Sequence, residues 1–73
     1  MEKTFSTHLC NYIRIQGAKK FASQLAFADA CGVSEKLIRN VYNGTHNFQI
    51  DNFEKIACGL DESMSYILIQ INY

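Results

Sequence analysis

Apolar residues recur at three- and four-residue spacing along almost the whole chain, and the breaks between these stripes fall where glycine and small polar residues cluster. That rhythm predicts an all-α fold. Phe5, Leu9, Tyr12 and Ile13 share one helical stripe, predicting a first helix over residues 4–16 with Gly17 as its stop and a basic connector, containing Lys19 and Lys20, over 18–22. Ser23 is placed to cap a second helix through Phe27, Ala28 and Cys31 to Gly32. Ser34 caps a third, with Leu37 or Ile38 and Val41 facing inward, which ends at Asn43-Gly44. Beyond residues 45–48, Ile50, Phe53, Ile56, Ala57 and Leu60 mark a fourth helix. After the Asp61-Glu62 turn, Ser63 caps a fifth through Met64, Ile67 and Leu68. The last five residues alternate apolar and polar, so the tail reads as a short strand or as a helical extension.

Seventy-three residues make one small domain and leave no room for a catalytic domain beside a cofactor domain. Residues 1–73 are therefore expected to form one five-helix unit. The three cysteines, Cys10, Cys31 and Cys58, lack a CxxC pair or a histidine at ligand spacing, so they read as small core residues in a reducing compartment. No window approaches the run of about 18 apolar residues that spans a membrane, and a soluble, cytoplasmic protein is expected. His8 and His46 stand alone, and no metal or cofactor is implied.

Residues 24–43 carry the functional signal. Two helices joined by a three- or four-residue turn need a small residue where they cross, here Ala28, and a residue that enters the left-handed region at the turn, here Gly32. Phe27, Cys31 and Val33 supply an apolar underside, and Ile38 and Val41 pin the second helix to it. The set Ala28, Gly32, Val33, Ile38 and Val41 resembles the helix-turn-helix of the lambda-repressor/Cro-like family of bacterial and phage DNA-binding regulators. The resemblance extends over about residues 21–68: Ser23-Gln24 looks like the family's start of helix 2, and Phe53, Ile56-Ala57 and Leu60 look like its fourth helix. Phe21, Tyr42 and Phe48 depart from the family's pattern.

The resemblance implies a sequence-specific transcriptional regulator, a repressor that occupies an operator in double-stranded DNA as a homodimer. A recognition helix in the major groove reads base edges with its N-terminal end and outer face. Here those residues are Ser34, Glu35, Lys36, Arg39 and Asn40. Lys36 or Arg39 can donate to guanine, Asn40 can pair with adenine, and Glu35 can accept from cytosine. Gln24 matches a position that grips phosphate, with Ser23, Asn43, Thr45 and His46 as further backbone contacts. Glu35 and Arg39, four apart, also suit a surface ion pair. Met64, Tyr66, Ile67, Ile69, Ile71 and Tyr73, within the dimerisation region 63–73, offer a face for a second copy; the alternative is that Ile67, Leu68 and Ile71 close the monomer core.

The formal charge of zero conceals an asymmetry. Residues 1–48 hold six basic against three acidic groups, net +3, and residues 49–73 hold one against four, net −3. The half with the helix-turn-helix is positive, as phosphate binding requires. No nucleophile with an adjacent base, phosphate loop or carboxylate pair suggests an enzyme. A second reading from another class is a protein-interaction module, such as the antitoxin of a toxin–antitoxin pair, with a protein partner.

Overall fold

A computed structural model describes residues 5–44 and 49–72. Five helices follow in order: α1 (Phe5–Lys20), α2 (Gln24–Cys31), α3 (Glu35–Tyr42), α4 (Ile50–Gly59) and α5 (Met64–Gln70). The described residues are all-helical apart from turns, as the apolar spacing predicts. The alternating tail is helical through Gln70, so the strand alternative falls away. Ile67 explains why, because a helix lets it and Leu68 point together into the core, whereas a strand would send neighbours to opposite faces.

Three serines act as the expected caps. Ser23, Ser34 and Ser63 have extended backbones, and their hydroxyls accept from the amides of Ala26, Leu37 and Tyr66 at 3.0, 3.1 and 3.0 Å. Gly32 takes a left-handed conformation at φ 72°, and the Val33 amide returns to the Ala28 carbonyl at 3.1 Å. Asp61 does the same work at the end of α4 without being glycine: its φ is 61°, and the Glu62 amide reaches the Ala57 carbonyl at 3.0 Å.

Helix 1 is longer than its stripe predicts, and Gly17 is not its stop. The helix runs to Lys20, absorbing the expected connector: Ala18, Lys19 and Lys20 are good helix formers, and two cations favour the negative end of a helix. Gly17 is instead buried where α1 meets its neighbours. A Cβ there would lie 2.5 Å from Phe27 Cε2 and 2.7 Å from the Tyr42 hydroxyl oxygen. Phe27 in turn stacks on Phe21, with ring centroids 4.9 Å apart.

The core gathers one stripe from every helix: Leu9 and Ile13, Phe27 and Ala28, Ile38 and Val41, Phe53 and Ile56, and Ile67, closed by Leu60. Two sequence expectations are corrected here. Ile50 is 68% exposed because it stands at the first position of α4, a turn ahead of the core stripe. Cys58 is exposed beside the buried Ala57, while Cys10 and Cys31 are buried as expected.

A polar junction ties α1 to the corner between α4 and α5. The Tyr12 hydroxyl donates to Glu62 Oε1 at 2.8 Å, and Lys20 Nζ donates to the Leu60 carbonyl and pairs with Glu62 Oε2 at 3.2 Å. Lys20 thus serves the fold.

Candidate nucleic-acid interface

The candidate surface begins with the amphipathicity of α3. Ile38 and Val41 are fully buried, so the helix has one orientation, and its other side must face outward. Glu35, Lys36 and Arg39 are exposed there, Asn43 is exposed at the C-cap, and Asn40 is half-buried. Lys36, Asn40 and Asn43 follow one another at four and three residues, making a continuous polar stripe. Beside it, Arg39 Nη2 lies 3.6 Å from Glu35 Oε1, both side chains open to solvent. This ion pair is one of the two sequence readings for these residues, and it engages the Arg39 guanidinium.

Ser34 is exposed at the N-cap of α3, its oxygen accepting from Leu37 while its own proton stays available for donation. Ser23 does the same at the start of α2, where Gln24 is half-buried as the first helical residue. Leu25 is exposed on α2. The left-handed turn at Gly32 joins the two helices, so Ser23, Gln24 and the outer face of α3 belong to one tightly linked unit. Thr45 and His46 lie outside the described residues.

The dimerisation set divides. Ile67 is fully buried, which corrects its assignment to an intermolecular face: it fills the monomer's core. Met64 and Ile71 are half-buried and pack on that core. Tyr66 and Ile69 project from α5, with Ile69 69% exposed. Tyr73 lies outside the described residues.

Sequence reasoning passed over a second polar feature. A cleft of about 340 Å³ opens between α1 and the end of α3, with Thr7, His8, Asn11 and Arg14 on one side, Tyr42, Asn43 and Gly44 on the other, and the buried Cys10 and Val41 at its floor. The signal was present in the three-residue spacing of His8, Asn11 and Arg14, a polar stripe alongside the apolar one. Arg14 donates to Asn11 Oδ1, and its charge partly offsets the upward push of burial on the Tyr42 hydroxyl.

Among the described residues no group of three or more histidine, cysteine or acidic side chains is disposed to hold a metal ion. No described helix is long and apolar enough to cross a membrane. Comparison with protein families, with curated proteins and with solved structures finds no match.

Proposed function

We propose that this protein is a sequence-specific DNA-binding regulator that docks α3 in the major groove and acts as a homodimer on two half-sites. One observation carries the reading: α3 turns Ile38 and Val41 wholly into the core and leaves Lys36 and Asn43 exposed, with Asn40 half-buried between them, beside a turn made by Gly32. Lys36 supplies a donor for guanine and Asn40 a bidentate partner for adenine. The Ser23 and Ser34 hydroxyls and the start of α2 supply donors for phosphates, which set register but carry no sequence information. A lone helix in one groove reads few bases, and Tyr66 and Ile69 on α5 give a second copy an apolar face through which two helices α3 can be paired.

The test is selection of binders from random duplexes by the purified full chain at two salt concentrations. Enrichment of a two-fold-related motif, with affinity falling as salt rises, is expected. A pool that enriches no motif and binds without salt dependence overturns the reading.

A further inference from the structure

Asparagine is one of the thermally labile side chains, and how labile it is depends on the residue that follows. Asn43 precedes Gly44, whereas Asn11, Asn40, Asn47, Asn52 and Asn72 precede Tyr12, Val41, Phe48, Phe53 and Tyr73. A bulky side chain shields the next peptide nitrogen, and glycine leaves it open. Asn43 and Gly44 are both exposed, so water reaches the side-chain amide and the peptide nitrogen alike. Gly44 has φ 75°, and a Cβ built on it would meet nothing within 4 Å, so the chain is free to swing there without striking a neighbour. The Asn43 amide closes the helix on the Arg39 carbonyl at 3.0 Å, while the Gly44 amide bonds only three residues back, to the Val41 carbonyl at 3.0 Å. Rotation about ψ of Asn43, which stands at −7°, breaks the Gly44 bond, keeps the Asn43 bond and swings the Gly44 nitrogen toward the Asn43 side-chain carbon. Asn11, Asn40 and Asn52 lie inside α1, α3 and α4, where the same rotation would break the helix.

We propose that Asn43-Gly44 is a site of spontaneous modification. The Gly44 nitrogen loses its proton to solvent and attacks the Asn43 side-chain carbon. A C–N bond forms, closing a succinimide ring, and the bond to the side-chain nitrogen breaks, releasing ammonia that takes up a proton. Water then adds to one ring carbonyl and breaks its bond to the ring nitrogen, leaving aspartate or isoaspartate. Water is the one reagent consumed, and no electrons are exchanged with any other group. The product places a negative charge at the negative end of α3, on the stripe that holds Lys36 and Asn40. The consequence for function rests on the proposed docking of α3: the new carboxylate repels phosphates, so the protein loses hold of DNA as it ages.

The experiment holds the full chain warm at mildly alkaline pH, folded and in urea, and follows peptide masses and isoaspartate content. Asn43 is expected to lose its amide before any other asparagine, about fivefold more slowly folded than in urea, the population cost of one net hydrogen bond at the Gly44 amide. A folded protein that keeps the Asn43 amide while the urea sample loses it overturns the proposal, as does earlier loss at another asparagine. Gly44→Ala, checked by helical circular dichroism, is expected to slow the loss in both samples; an unchanged rate in urea overturns the role given to glycine. Asn43→Asp supplies the charge in one step and is expected to bind the selected duplex about tenfold more weakly at low salt, with the gap narrowing as salt rises. Equal affinity of Asn43→Asp and the parent overturns the consequence for DNA. A duplex selection that enriches no motif removes the reading of α3 alone, because the mass measurement uses no DNA, so the two readings fail separately.

Discussion

Gly17 of α1 and Phe27 of α2 meet so closely that a methyl group on the glycine would stand 2.5 Å from the ring's Cε2. The ring cannot withdraw, because Phe27 is fully buried and stacked on Phe21. Gly17→Ala adds about 1 kcal/mol of helix propensity but overpacks this contact by about 1–3 kcal/mol. Net destabilisation is expected, seen as a lower denaturation midpoint in urea; an unchanged or raised midpoint would show that the ring has room to move.

Lys36→Ala with Asn40→Ala is expected to abolish specific DNA binding while leaving helical circular dichroism intact, since neither residue belongs to the core. Each lost base contact corresponds to about 1–3 kcal/mol of discrimination. Unchanged affinity for the selected duplex would rule out the docking of α3 by its outer face.

Ile67 and Ile69 sit two residues apart and should behave oppositely. Ile67→Ala empties a fully buried site and is expected to cost about 2–5 kcal/mol of stability. Ile69→Glu changes a side chain 69% exposed, so the fold should persist while the self-association proposed through α5, read by sedimentation, is expected to be lost. An Ile69→Glu protein that still forms the parent's oligomer would place the interface elsewhere.

Burial, reinforced by the hydrogen bond and charge of Glu62, holds the Tyr12 hydroxyl above its ordinary value of 10.0. The folded state therefore binds that proton more tightly than the unfolded chain does. Its contribution is complete below about pH 10 and is lost as pH rises further. Tyr12→Phe is expected to lower stability by about 1 kcal/mol at pH 7 and to flatten the alkaline limb of the stability profile. An alkaline limb as steep as the parent's would assign that pH dependence to other groups.

Burial also pushes the Cys31 thiol, with a further contribution from Cys58, up from 9.0 to about 11. By the same sign, the stability it supplies is present below about pH 9 and declines between there and about 11. Cys31→Ala should remove that portion of the decline, measured by denaturation at a series of pH values. In the native protein a thiol reagent should modify exposed Cys58 rapidly and Cys10 and Cys31 only on unfolding. Rapid modification of all three would contradict the burial.

Much of this architecture is local and was readable from the residues. Serine hydroxyls before apolar stripes mark three helix starts because the cap is made within three residues, and Gly32 marks a left-handed turn because few other residues adopt it. The inward direction of Ile38 and Val41, and with it the outward polar stripe of α3, follows from helical periodicity alone. Gly17 was misread for the opposite reason: a glycine that ends a helix and one that admits a neighbouring ring look alike until Phe27 is placed against it.

By itself, then, the sequence determined the helical class, the caps and the face of α3 that looks outward, since each depends on residues within about one or two turns of one another. Only the tertiary structure decided that Ile67 belongs to the core and Ile69 to the surface, that Lys20 and Tyr12 converge on Glu62, and that Arg14 faces the end of α3 across a cleft. Those relationships join residues as much as 50 positions apart, as Tyr12 and Glu62 are. The packing of one helix on another brings them together, and no local pattern encodes it.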